Sequence, residues 1–63
     1  MNIPPAGTLV EAIMVGAEFL VTGNIEDPVP RRGMVTIRKG GMLKVYVYAD
    51  TVRRVMGSKE AST

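Results

Sequence analysis

Hydrophobic and polar residues alternate with a period of two in the second half of the chain. Two such runs, Met34–Arg38 and residues 42–48, are rich in Val, Ile, Thr and Tyr, and are separated by Lys39, Gly40 and Gly41. Side chains of this kind fit a pleated surface that is buried on one face. The pattern predicts a β-hairpin, in which Gly41 supplies the left-handed conformation that the turn needs.

The alternation also predicts which residues of the hairpin face each other. A three-residue loop over 39–41 places Ile37 opposite Leu43, and Val35 opposite Val45. The inner face is then apolar and consists of Val35, Ile37, Leu43, Val45 and Val47. The outer face is mixed and consists of Met34, Thr36, Arg38, Met42, Lys44, Tyr46 and Tyr48.

Residues 8–22 are predicted to form an amphipathic helix. On a helical wheel Glu11 and Glu18 share a narrow polar arc, and most of the large apolar side chains fill the opposite arc. Thr8 and Glu11 have the spacing of a capping box. Gly23 is typical of a residue that ends a helix.

Two short strands with a turn at Gly16-Ala17 are the alternative for this segment. The Val, Ile and Phe content favours strands. One continuous strand is disfavoured, because it would place Glu11 and Glu18 on opposite faces among apolar neighbours.

The segments on either side of the hairpin are predicted to be a connection and a short helix. Pro28 and Pro30 make residues 24–33 an extended connection with a turn before the hairpin. Asp50 is a favourable N-cap for a helix over 51–56.

The predicted fold is a single small α+β domain over residues 1–57. Its N-terminal helix packs on the hairpin, a short C-terminal helix follows, and the polar tail 58–63 is expected to be disordered. The alternative fold is a small five-stranded all-β barrel in which residues 8–22 form two strands.

Charge is distributed unevenly along the chain. Residues 1–30 hold four acidic residues and no Lys or Arg, which gives −4. Residues 31–63 hold all eight basic residues and two acidic ones, which gives +6. A basic half of this kind favours contact with anionic partners such as DNA or RNA.

Catalysis is poorly supported by the residue types. The chain has no Cys and no His, so the usual nucleophile and general base near neutral pH are missing. We expect no enzyme activity, no metal site and no cofactor. The longest apolar run is too short and too charged to cross a bilayer, so we expect no membrane partner.

Basic and aromatic residues alternate along the hairpin and its flanks. Exposed cations bind phosphates, and exposed aromatic rings stack on unpaired bases. A two-stranded ribbon also fits the major groove of DNA. The predicted nucleic-acid-binding residues are Arg31, Arg32, Arg38, Lys39, Lys44, Tyr46, Tyr48, Arg53 and Arg54.

One stretch loosely resembles a known class of regulators. Residues 25–33, the hairpin and residues 48–55 resemble the wing and closing helix of small phage excisionase-type proteins. Those proteins carry a basic recognition helix before the wing, whereas the corresponding segment here is acidic and apolar. No family is assigned, and no site residue is carried over.

Two functions are therefore expected. The first is a small cytoplasmic nucleic-acid-binding or regulatory module that uses the basic hairpin as its contact surface. The second is a structural or adaptor protein that self-associates or binds a protein partner. A homo-oligomer, most simply a dimer, is expected in either case, because a chain of 63 residues without disulfide or metal has little core.

Overall fold

The computed structural model describes residues 2–55 and shows an antiparallel sheet of five strands. The strands are β1 (Leu9–Ile13), β2 (Leu20–Arg31), β3 (Met34–Arg38), β4 (Lys44–Tyr48) and β5 (Arg53–Arg54). Their order in the sheet is β4-β3-β2-β1-β5. A single 3₁₀ turn, Ala49–Thr51, joins β4 to β5.

The α+β prediction is therefore wrong, and the all-β alternative fits. Residues 8–22 form no helix: β1 and the start of β2 pair as a hairpin in which Ile13 is opposite Leu20. In this arrangement Val10, Ala12 and Val21 alternate onto the buried face. Glu18 lies in the turn rather than in a strand, so the charge conflict that disfavoured a continuous strand does not arise.

The predicted C-terminal helix over 51–56 is also wrong. Thr51 ends the 3₁₀ turn, and Arg53–Arg54 pairs with β1 instead. Asp50 lies inside the turn rather than capping a helix. The rest of that prediction, and the disordered tail over 58–63, lie outside the described residues.

The sheet closes partly on itself along the edge of β1 that does not pair with β2. The first half of that edge pairs with β5, where Glu11 is opposite Arg53. Its end meets β4, where Met14 bridges Val47 and the amide of Val15 donates to the carbonyl of Tyr46 at 2.9 Å. The result is a small barrel-like sheet around one apolar core. The core is formed by Val10, Ala12, Val21, Ile25, Val35, Ile37, Val47 and Ala49.

The β3–β4 hairpin is the confirmed part of the sequence prediction, with one correction. Ile37 is opposite Val45 rather than Leu43, so the register is shifted by two residues. Beyond the last ladder pair, Arg38 with Lys44, the Lys39 amide donates to the Leu43 carbonyl at 2.7 Å, so Leu43 is opposite Lys39 instead of Ile37. A shift of two preserves the faces, but Leu43 lies at the exposed tip instead of in the core.

Residues 24–33 are not a simple connection, because most of them belong to the long strand β2. Its pairing with β3 is irregular on both sides of Asp27. Pro28 and Pro30 stand in the irregular stretch between Asp27 and Arg31, where the regular ladder is interrupted. Bulges bend a strand, and this end of β2 contributes one side of the candidate site.

Candidate nucleic-acid interface

The outer face of β3 and β4 carries the polar and aromatic residues of the hairpin. Because Val35, Ile37 and Val47 alternate into the core, the residues between them point outward. Direct cross-strand partners on this outer face are Thr36 with Tyr46, Arg38 with Lys44, and Met34 with Tyr48.

A shallow groove of about 240 Å³ lies between this face and the bulged end of β2. One wall is the β2 segment from Asp27 to Arg31 together with the turn residue Arg32, and the other side is formed by β3 and Tyr46 of β4. The lining residues are Asp27, Val29, Arg31, Arg32, Met34, Thr36 and Tyr46. The groove therefore combines two guanidinium groups, one carboxylate, one aromatic ring and an apolar floor.

Arg32 is held in an unusual backbone conformation at the end of this groove. Arg31 pairs with Met34, so Arg32 and Gly33 form a two-residue hairpin loop. Their φ angles are 58° and 77°, as in a type I′ turn, which normally contains Asn, Asp or Gly. An Arg in the left-handed region costs conformational energy, and such outliers concentrate at functional sites.

The carboxylate of Asp27 is occupied by two hydrogen bonds. Its Oδ1 accepts from the amide of Val29 at 3.0 Å, and its Oδ2 accepts from Nη1 of Arg31 at 3.3 Å. The Arg31 side chain is still 74% exposed. Asp27 therefore holds one nitrogen of the Arg31 guanidinium, while most of the Arg31 side chain remains exposed to solvent.

Arg38 is held more firmly than Arg31. Its Nη2 lies 2.9 Å from Oε1 of Glu26, and its Nε donates to the same oxygen at 3.1 Å. The pair relieves the repulsion between Arg38 and Lys44, which face each other directly across the strands. Much of the positive charge of Arg38 is therefore balanced within the fold.

The two tyrosines have different environments. The ring of Tyr46 is 60% exposed and borders the groove. The hydroxyl of Tyr48 donates to Oε2 of Glu18 at 2.7 Å. That hydrogen bond, followed by partial burial and the charge of Glu18, raises the pKa of Tyr48. Tyr46 is the more exposed of the two rings, and it is the one that borders the groove.

The remaining predicted residues lie outside the groove. Lys39 and Lys44 flank the exposed tip of the hairpin. Arg53 and Arg54 are on β5, which pairs with β1, and neither lines the groove. The predicted set is thus divided into a groove group of Arg31, Arg32 and Tyr46, a hairpin-tip group of Arg38, Lys39 and Lys44, the β5 pair, and Tyr48, which is bonded to Glu18.

Sequence reasoning missed four of the lining residues, namely Asp27, Val29, Met34 and Thr36. The alternation of β3 already placed Met34 and Thr36 on the outer face, next to the basic residues. Asp27 and Val29 carried no comparable signal, because the bulges of β2 decide where they point.

Within residues 2–55, no three acidic, Cys or His side chains come together as a metal site would require. No helix in this part of the chain is long and apolar enough to cross a membrane. Comparison with protein-family models, with curated proteins and with solved structures found no match to the chain.

Proposed function

We propose that this protein is a small nucleic-acid-binding or regulatory module that uses the outer face of the β3–β4 hairpin as its contact surface. The observation that carries the proposal is the exposed ring of Tyr46 in a groove that Arg31 and Arg32 also line. Cations attract the phosphate backbone and release its counterions, whereas an exposed ring binds the face of a base. The groove offers both contacts within one short span of the surface.

The balance of charge supports the same proposal. Both ion pairs within residues 2–55 join an Arg of the basic half to an acid of β2. Five described cations form no ion pair with the described part of the chain, namely Arg32, Lys39, Lys44, Arg53 and Arg54. Three of these five, Arg32, Lys39 and Lys44, belong to the groove or to the hairpin tip.

Salt dependence tests the proposal directly. Binding of labelled DNA and RNA oligonucleotides is measured by fluorescence anisotropy over a series of salt concentrations. Each cation that contacts a phosphate adds about one unit to the slope of log affinity against log salt. The double variant Arg32→Ala with Lys44→Ala is expected to flatten that slope by nearly two units.

A matched control removes the same charge elsewhere. The double variant Arg53→Ala with Arg54→Ala changes the net charge equally, but alters β5, none of whose residues lines the groove. It is expected to change the slope by less than one unit. A wild-type protein that binds neither DNA nor RNA at low salt contradicts the proposed function.

Exposed apolar residues favour a second candidate, a structural or adaptor protein that self-associates or binds a protein partner. At the hairpin tip Met42 is 87% exposed and Leu43 is 56% exposed, and Phe19 and Leu20 are exposed at the start of β2. Apolar contacts of this kind survive high salt. Sedimentation at increasing concentration tests it: a dimer that Met42→Ser with Leu43→Ser dissociates supports this function, and a stable monomer contradicts self-association.

A further inference from the structure

We infer that the groove beside Tyr46 binds one unpaired nucleotide, so that the protein selects single-stranded nucleic acid over duplex. This inference rests on the proposed function and specifies the class of ligand. The base stacks on the ring of Tyr46, and the adjoining phosphate contacts Arg32 with Arg31 beside it.

The strand arrangement is the first argument, because it opposes insertion of the hairpin into a major groove. β3 pairs with β4 on one edge and with β2 on the other. Three strands spaced about 4.8 Å apart, with their side chains, are wider than a two-stranded ribbon. The major groove is about 12 Å wide and admits a helix or two strands. The hairpin body is therefore not free to enter it.

The exposure of Tyr46 is the second argument. Its ring borders the groove, and no described hydrogen bond involves its hydroxyl. The face of a base in a duplex is covered by its neighbours in the stack, whereas an unpaired base offers its face to an aromatic side chain. Tyr46 thus meets the requirement for stacking, while Tyr48 is held by Glu18.

The size of the groove is the third argument. Its volume of about 240 Å³ is smaller than the roughly 300–1,000 Å³ of sites that enclose a whole small ligand. A groove of this size, open along one side, holds one unit of a polymer whose neighbouring units remain outside. Met34 and Val29 add apolar surface beside the ring, where the edge of a base is desolvated.

The turn at Arg32 is an independent observation. A type I′ position favours Asn or Gly, yet this chain has an Arg at φ 58°. Arg32 lines the groove, so its guanidinium is placed to contact the phosphate that follows the stacked base. The carboxylate of Asp27 is partly balanced by its ion pair with Arg31, so it weakens the contact with a phosphate without preventing it.

The experiment compares four labelled oligomers of about 12 units, within the roughly 4–16-nucleotide footprint of small single-strand binders. They are oligo-dT, oligo-rU, a DNA duplex and an RNA duplex of the same length. We expect both single strands to bind more tightly than either duplex. The variant Tyr46→Ala is expected to weaken single-strand binding by about 5- to 150-fold, as loss of one stacked base does. Tyr46→Phe keeps the ring and is expected to stay within about twofold of wild type, since stacking needs no hydroxyl.

Intrinsic fluorescence gives a readout that does not depend on the folding of Tyr46→Ala. The chain has two Tyr and no Trp, so Tyr48→Phe leaves Tyr46 as the only strong fluorophore. Titration of this variant with oligo-dT or oligo-rU is expected to quench the emission, and titration with a duplex is not. Comparison of oligo-dT with oligo-rU shows whether the bound nucleotide belongs to DNA or RNA.

The outcomes separate the two proposals. Duplex binding at least as tight as single-strand binding, with no effect of Tyr46→Ala and no quenching, overturns this inference and leaves nucleic-acid binding intact. Absence of binding to all four oligomers at low salt overturns the proposed function, and this inference with it.

Discussion

The hydroxyl of Tyr48 lies 2.7 Å from Oε2 of Glu18, thirty residues earlier in the chain. Glu18 itself has a φ of 62°, so the turn between β1 and β2 adopts a conformation that L-residues rarely adopt. The hydrogen bond joins that turn to β4. The main-chain bond from Val15 to Tyr46 ties the same turn to the same strand. Together these two contacts hold the turn between β1 and β2 against β4, where the sheet closes on itself.

This contact predicts an alkaline titration. The pKa of Tyr48 lies above its ordinary value of 10.0, chiefly because its hydroxyl donates to Glu18. A raised pKa favours the neutral phenol in the folded state, so its stabilising effect is complete below pH 10 and is lost as pH rises through the raised pKa. In a Tyr46→Phe background, tyrosinate absorbance is expected to report a midpoint above 10.0. Glu18→Gln is expected to lower that midpoint, and an unchanged midpoint would contradict the assignment.

Gly23 predicts a large loss of stability on a small substitution. A Cβ at this position would lie 2.5 Å from the carbonyl oxygen of Arg38 and 3.1 Å from Cδ1 of Ile37. Because the closer atom belongs to the backbone, Gly23→Ala must displace β2 from β3. We expect a loss of about 1–3 kcal/mol in the free energy of unfolding, measured by urea denaturation.

The exposed neighbour Thr22 provides the control for this prediction. Thr22→Ala changes the adjacent residue on the outer face and is expected to cost about 1 kcal/mol or less. Equal losses for the two variants would show that the close approach of the strands at Gly23 is not the cause.

Arg32→Asn is predicted to raise the stability of the protein and to weaken its binding of single-stranded oligomers. Asn tolerates the left-handed region better than Arg, so the variant is expected to gain up to about 1 kcal/mol in the free energy of unfolding. The same variant loses the guanidinium at the groove and is expected to bind single-stranded oligomers more weakly. Thermal melting and anisotropy measure the two effects.

Arg32→Lys is the matched control, because it keeps both the positive charge and the unfavourable backbone conformation. It is expected to melt close to wild type and to retain the salt slope. A variant Arg32→Asn that is more stable and binds as well as wild type would remove Arg32 from the interface.

Asp27→Asn is predicted to strengthen binding. The substitution removes a negative charge from the groove but keeps an oxygen that accepts from the amide of Val29. It also releases Arg31 from an exposed ion pair, whose loss costs at most about 1 kcal/mol of stability. Affinity for oligonucleotides is expected to rise by up to about fivefold at low salt, which corresponds to a similar energy.

Glu11→Gln is the control for charge alone. It makes the same change in net charge on β1, opposite Arg53 and away from the groove. If both variants raise affinity equally, the effect comes from net charge, and Asp27 has no special place in the site.

The sequence predicted the hairpin of β3 and β4 because its alternation is strong and local. The side chains of Val35, Ile37, Val45 and Val47 lie on the same face in any register that differs from the observed one by an even number of residues. The predicted register was wrong because Leu43 looks like a core residue, and only the main-chain bonds at the tip show that it stays outside.

The N-terminal segment could not be assigned from local signals. Residues 8–22 satisfy a helical pattern and a two-strand pattern almost equally well. The strand pairing is decided by distant residues, since β1 gains partners from β5 and from Val47 of β4. Tertiary contacts of this kind override a local preference.

The candidate site was predicted in part. Arg31, Arg32 and Tyr46 were identified from residue type and alternation, and the structure brings them to one groove. The sequence could not show that Glu26 forms an ion pair with Arg38, or that Glu18 accepts a hydrogen bond from Tyr48. The two residues of each pair are distant along the chain. It also could not show that Arg53 and Arg54 do not line the groove.

Pro28 and Pro30 have a consequence for how copies of this chain can meet. Past the point where β1 stops pairing, no described strand covers the outer side of β2, and an open strand edge invites another chain to add to the sheet. The two prolines carry no amide donor, and the bulges on both sides of Asp27 distort the strand. Addition of a strand from a second molecule is therefore disfavoured along this part of β2. The exposed side chains of Met42 and Leu43 offer copies of the chain a different kind of contact.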